Sequence, residues 1–104
     1  MQQKRVVITG LGLVTPLGND VTSTWQNLIQ GKSGADNITH FDASKFKTQF
    51  ACEVKGLDMS SLLDAKELRR YDRYIHYALK SAEEALLDAK VSIEQEDALR
   101  CGVI

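Results

Sequence analysis

The sequence predicts an α/β fold, with elements in the order strand, helix, strand, helix, strand. Three observations carry this. Residues 5–10, Arg-Val-Val-Ile-Thr-Gly, are β-rich and apolar almost without alternation, the pattern of a strand buried on both faces of a parallel sheet. Apolar residues recur at helical spacing twice further on. The terminal Cys101-Gly102-Val103-Ile104 reads as the beginning of another strand.

Gly10, Gly12, Pro16 and Gly18 punctuate a loop after the first strand. Asn19 or Asp20 can cap a first helix, and Val21, Trp25, Leu28 and Ile29 give it one apolar face. Gly31 is placed to end it in a left-handed conformation. Residues 31–48 mix Gly, Ser, Asp, Asn and Lys around Ile38, Phe41 and Phe46, as a surface loop pinned by a few apolar side chains. In residues 49–54, Phe50, Cys52 and Val54 alternate with Gln49, Ala51 and Glu53, which predicts a short strand with the second set facing water.

Asp64 with Glu67 three residues on makes a capping-box variant for a second helical region. Leu68, Tyr71, Ile75, Ala78, Leu79, Ala82, Leu86 and Ala89 form its long apolar stripe, and Asp72 could restart the helix after a break. The stripe, with Trp25 and Tyr71–Tyr77, reads as core; a share in a dimer interface is the alternative use. Two or three strands and two helices cover little of a parallel sheet, so the chain is expected to be the N-terminal piece of a larger domain, incomplete as it stands and without an internal boundary.

The bulk numbers narrow the function. The 104 residues suffice for one small domain. With 43% hydrophobic and 26% charged residues the composition is that of an ordinary globular chain. The formal net charge of −1 gives no overall field towards nucleic acid or an anionic membrane. Cys52 and Cys101 lie far apart, neither belongs to a CxxC, and no His/Cys group has metal-ligand spacing. That pattern fits reduced thiols in the cytoplasm. Lys4-Arg5 before Val-Val-Ile imitates the start of a signal peptide, but Thr9, Gly10, Gly12, Thr15 and Pro16 break the apolar run. No stretch approaches the roughly 20 apolar residues that span a bilayer.

Gly10-Leu11-Gly12 raises the possibility of a phosphate-binding turn. The dinucleotide fingerprint requires a third small residue that opens a helix. Here that position is Thr15, Pro16 follows, and the helix cannot begin before about Asp20. Gly31-Lys32-Ser33 ends like a P-loop, but Gln26 stands where its first glycine would be. The glycines read instead as a tight turn, where a missing side chain permits positive φ and close packing.

"RVVITGLGLVTPLGND", "TWQNLIQGKSG", "FDASKF", "AKELRRYDRYIHYALKSAEEAL" and the terminal "RCGVI" together closely resemble the N-terminus of the β-ketoacyl-acyl-carrier-protein synthases, over essentially the whole chain, with the type II enzymes of bacterial fatty acid synthesis the nearest match. The resemblance implies a thiolase-like fold and a homodimer. It implies elongation of acyl chains by decarboxylative condensation, with no metal and no redox cofactor. In that family a cysteine thiolate takes the acyl group from the carrier, and two histidines promote decarboxylation and stabilise the oxyanion. The nucleophile sits in a Thr-Ala-Cys-Ser type turn at a helix N-terminus, which lowers a thiol's pKa. All three residues lie further along the family's chain than position 104.

Nothing in this sequence matches those contexts. Phe50-Ala51-Cys52-Glu53 shares only Ala-Cys with the nucleophile turn and places a carboxylate beside the thiol. Cys52 and Cys101 therefore read as small buried hydrophobes. His40 reads as a loop residue and His76 as lying on or near a helix surface. None of the four is assigned a catalytic role.

The candidate site is basic. Lys66, Arg69, Arg70 and Arg73 fall at i, i+3, i+4 and i+7, on one face if the helix is continuous. One reading is a solvated face neutralised by Asp64, Glu67 and Asp72. The other is a docking surface for an acidic acyl carrier protein, which the face would steer and hold. The resemblance favours docking and carries it onto Lys66, Arg69 and Arg70, less directly onto Arg73. It implies an acyl- or malonyl-loaded carrier as partner, with neither nucleic acid nor membrane. The rival reading is a non-catalytic carrier-binding module, or a chain-length-factor homologue from polyketide synthesis. Because the nucleophile and both histidines are missing, the 104-residue chain alone is expected to form no β-ketoacyl product from acyl- and malonyl-carrier. Product detection by mass spectrometry is the check.

Overall fold

A computed structural model describes residues 2–104. Helix α1 spans Val21–Ile29, and strands β1 (Ala35–Asn37) and β2 (Phe50–Cys52) form a two-stranded antiparallel sheet. Helices α2 (Ala65–Arg70) and α3 (Arg73–Ala89) follow, then two short 3-10 turns at Ile93–Gln95 and Ala98–Arg100.

The helix ends follow the local sequence. Asp20 is in the extended region and its carboxylate accepts the Ser23 N–H at 2.7 Å, capping α1. At the other end Gly31 takes φ 67°. Its N–H donates to Leu28 O and the Lys32 N–H to Asn27 O, both at 3.0 Å, which is a Schellman closure. The end of α3 repeats the arrangement with Lys90 at φ 55° and Val91 N–H on Leu86 O at 3.2 Å.

The long N-terminal segment runs antiparallel along α3. A Cβ built on Gly12 would sit 1.8 Å from Ser81 O, and one on Gly10 2.2 Å from Ala85 O. Neither glycine has positive φ, so close approach alone requires them, not the conformational freedom the sequence also suggested. The pitch fits: i and i+4 on a helix are about 6.0 Å apart, close to the rise of two residues in an extended chain. The same spacing sets the polar contacts. Asp88 accepts the Leu11 N–H at 3.0 Å, and Glu84 accepts those of Leu13 at 2.9 Å and Val21 at 2.8 Å. Glu84 thus ties the N-terminal segment and the first turn of α1 to one point of α3. Between them a turn at Pro16-Leu17 is closed by Thr15 and Gly18 and rests on the buried Thr24 of α1.

In the sheet, Ala35 faces Cys52, Asp36 faces Ala51 and Asn37 faces Phe50. Residues 35–37 lie inside the stretch expected to be loop throughout. The connection is held by an edge-to-face pair, Phe41 and Phe46, with centroids 5.8 Å apart. The faces of β2 are the reverse of the expected ones. Glu53 just after it is buried, whereas Phe50 and Cys52 are exposed. Glu53 can be buried because its carboxylate is fully occupied. It accepts Thr39 Oγ1 at 2.7 Å and the N–H groups of Thr39 and His40, and lies 3.5 Å from the His40 imidazole.

Among the described residues the buried apolar side chains are few: Ala43, Met59 and Leu63. The radius of gyration is 17.6 Å, against about 13 Å for a compact domain of this length. The accessible area is 9124 Å², where a compact monomer of this mass would show roughly 5,800 Å². Large apolar side chains share in that excess: Val6, Ile8, Trp25, Ile29, Leu87 and Leu99 are all exposed. The terminal segments expected to be strands, 5–10 and 101–104, pair with no strand among the described residues. A strand exists through its ladder of hydrogen bonds, and the local sequence supplies none.

Two outcomes test these contacts. Gly12→Ala should destabilise the protein by about 1–3 kcal/mol or more, because the obstructing atoms are helix backbone; thermal or urea unfolding measures it. Glu53 has a carboxyl held below its ordinary 4.5, first by the Thr39 hydroxyl and then by the Thr39 and His40 N–H groups and the imidazole, against the opposing effect of burial. A depressed folded value gives stability that is full above the unfolded value and is lost as pH falls through the folded one. Glu53→Gln should therefore flatten the Tm-against-pH curve below about pH 5.

Candidate functional site

The predicted basic residues fall on two helices. Asp64 caps α2 through Oδ1, which accepts the Lys66 and Glu67 N–H groups at 2.8 Å each. Glu67 Oε2 reaches back to the Asp64 N–H at 3.0 Å, completing the capping box. The helix ends at Arg70, because Tyr71 (φ −97°, ψ 138°) and Asp72 (φ −67°, ψ 156°) are both extended. Arg73 then opens α3. The four basic residues consequently do not share one helical face. Lys66, Arg69 and Arg70 belong to α2, and Arg73 stands across the break.

All four side chains are exposed. Arg69 Nε donates to Ala65 O at 3.1 Å, which lays its stem along α2. The ion pairs among the described residues are His40–Glu53, Lys55–Asp36 at 3.2 Å and Lys80–Glu83 at 2.7 Å. None involves the basic residues of α2. Two of the three carboxylates of the bland reading, Asp64 and Glu67, hold backbone N–H groups, and the third, Asp72, forms no ion pair with the basic residues among the described residues. What remains is a short run of unpaired cations on a helix whose own acids face inward to its first turn. Such a surface attracts an anionic partner from a distance.

Both cysteines were expected to be buried, and both are exposed. Cys52 lies on a two-stranded sheet with nothing packed over that face, and Cys101 follows the second 3-10 turn in unpaired chain. His40 is a loop residue, as expected. His76 lies near the surface of a helix, as expected, half-buried on the first turns of α3, and its Nε2 is buried with no hydrogen-bond partner. It lines a cavity of about 340 Å³ together with His40 and Arg73. Sequence reasoning missed this because the cavity's walls come from three separate parts of the chain. No three His, Cys, Asp or Glu among the described residues converge as a metal site. No helix among them is long and apolar enough to cross a membrane.

Comparison with known proteins gives one answer. A family model described as the N-terminal domain of β-ketoacyl synthase matches residues 3–104. The chain is 48% identical over 103 residues to the 3-oxoacyl-[acyl-carrier-protein] synthase 2 of Coxiella burnetii, covering 99% of this chain and 25% of that one. It is 44% identical to the synthase 2 of Staphylococcus aureus strain COL, covering 98% and 25%. The synthase 2 of a Synechocystis strain is 43% identical, covering 100% and 25%. Among solved structures, the ishigamide ketosynthase/chain length factor superposes with a TM-score of 0.74 at 32% identity, over 85% of this chain and 22% of that one. The chain thus spans about a quarter of the length of these relatives. On the match over residues 3–104 and the thiolase-like arrangement shared with a solved ketosynthase, the chain belongs to the β-ketoacyl synthase family, in its N-terminal domain.

Proposed function

We propose that these residues form the N-terminal part, undivided over 1–104, of a 3-oxoacyl-[acyl-carrier-protein] synthase II. The enzyme lengthens acyl chains in fatty acid biosynthesis by decarboxylative condensation with malonyl-carrier, as a cytoplasmic homodimer. The relatives named as synthase 2, at 43–48% identity over nearly the whole chain, support the reaction class. In it a cysteine thiolate accepts the acyl group and releases the carrier's thiol, loss of carbon dioxide from malonyl-carrier leaves a carbanion, and the carbanion attacks the acyl-enzyme thioester and expels the cysteine thiolate. Imidazole donors beside the developing oxyanion lower that barrier. The nucleophile and histidines belong to later parts of the family's chain, and Cys52, Cys101, His40 and His76 take no part.

The contribution of these residues is recognition. Lys66, Arg69 and Arg70 receive the acidic acyl carrier protein, whether acyl- or malonyl-loaded. The observation that carries this is the capping box: by holding Asp64 and Glu67 on backbone N–H groups it leaves the three cations of α2 unpaired. Exposed charges of this kind act mainly on association rate and are screened by salt. A second reading, a polyketide ketosynthase or chain-length factor, is favoured by the ishigamide neighbour alone. A Thr-Ala-Cys-Ser type turn later in the chain marks the synthase, and a replaced cysteine marks the factor.

The test is Lys66→Glu, Arg69→Glu and Arg70→Glu combined in the full-length protein. KM for acyl-carrier should rise at least about tenfold, and the dependence of kcat/KM on salt should flatten. Turnover of a carrier-free acyl thioester should be unchanged. An unaltered KM for the carrier would remove the docking assignment.

A further inference from the structure

The two acids at the start of α2 stand beside a surface that attracts an acid. Charge alone would make Asp64 and Glu67 weaken that attraction. Their hydrogen bonds point the other way. Asp64 Oδ1 accepts the Lys66 and Glu67 N–H groups at 2.8 Å each, and Glu67 Oε2 accepts the Asp64 N–H at 3.0 Å. The helix they cap has six residues, none of them buried, and the extended Tyr71 and Asp72 part it from α3. Leu63, just before the cap, is buried and fixes where the helix starts, not whether it continues. So short a segment has little helical stability of its own and little packing to supply more.

The helical state is also what makes the cations one feature. Lys66, Arg69 and Arg70 fall at i, i+3 and i+4, so in a helix they are neighbours, with about 5–6 Å between Cβ atoms. In an extended chain Lys66 and Arg69 would stand about 10 Å apart, and Arg69 and Arg70 would point to opposite sides. Arg69 depends on the helix a second time, because its Nε donates to Ala65 O, four residues back, at 3.1 Å.

We propose that Asp64 and Glu67 are positioning residues for the acidic carrier: they strengthen its binding by holding α2 folded, with three cations gathered on one face, before it arrives. The inference rests on carrier docking at Lys66, Arg69 and Arg70. A preformed face spares the carrier the cost of ordering it, and affinity falls in proportion to the fraction of molecules in which it is formed. The capping role and the charge therefore act in opposite directions on the same equilibrium.

The experiment measures the affinity of the full-length enzyme for acyl-loaded carrier, by fluorescence anisotropy, in Asp64→Ala, Asp64→Ser, Glu67→Ala and Glu67→Gln. Each variant removes one negative charge. Serine and glutamine keep the capping groups, and alanine does not. Kd should rise about fivefold in Asp64→Ala, the factor by which a lost N-cap weakens a helix. It should rise by a smaller factor in Glu67→Ala, and equal or fall below the unsubstituted value in Asp64→Ser and Glu67→Gln. Hydrogen exchange over residues 65–70 should quicken in the two alanine variants alone. Asp64→Ala binding as tightly as Asp64→Ser would overturn the proposal, and so would exchange over 65–70 that Asp64→Ala leaves unchanged. Equal weakening in all four would mean that the carboxylates touch the carrier themselves, which also sinks it. Charge reversal of Lys66, Arg69 and Arg70 separates the two readings. If it leaves Kd unchanged, docking itself fails; if it raises Kd while Asp64→Ala does not, only the positioning role is lost.

Discussion

The arrangement hangs on the contact between the N-terminal segment and α3. Two backbones approach there more closely than any side chain allows, at Gly10 and Gly12 against Ser81, Ala85 and Ala89. The helix presents small residues at i, i+4 and i+8, and the segment presents glycine at i and i+2. Both repeats have nearly the same pitch, so one contact brings the next into place. Glu84 and Asp88, four apart on the same helix, then accept the N–H groups of Leu11, Leu13 and Val21. The start of α1 is thereby fixed relative to α3, and the Pro16 turn between them is closed.

A similar economy governs the basic helix. A six-residue helix is too short to persist on propensity alone, so its termini must be satisfied. Asp64 and Glu67 satisfy the first turn, and in doing so they are withdrawn from Lys66, Arg69 and Arg70. One local device both forms α2 and leaves its charge unpaired. Tyr71 and Asp72, extended, then turn the chain so that α3 begins with Arg73 beside the cavity and not on the α2 face.

Much apolar surface has no partner within these residues. Val6 and Ile8 stand over 80% exposed on a segment with the composition of an interior strand. That exposure suits a region of a family whose members are about four times longer. Helices need only their own neighbours in sequence. Sheets need partners brought from elsewhere.

The sequence by itself determined what depends on neighbours a few residues away. Asp20, Gly31 and the Asp64–Glu67 box are caps whose donors and acceptors lie within about one helical turn, and each is where the residues put it. The family, too, was legible in the motifs around Gly10–Gly18. The tertiary structure decided everything set by distant groups. It chose which face of β2 is inward, since burying Glu53 depends on Thr39 and His40 arriving from the other side of a loop. It left Cys52 and Cys101 exposed, because nothing packs over them. It showed that Gly10 and Gly12 serve packing, because the obstructing atoms lie some 70 residues away on α3. It brought His76 to the wall of a cavity that no periodicity could have assembled, because such walls are set by contacts between segments and not along them.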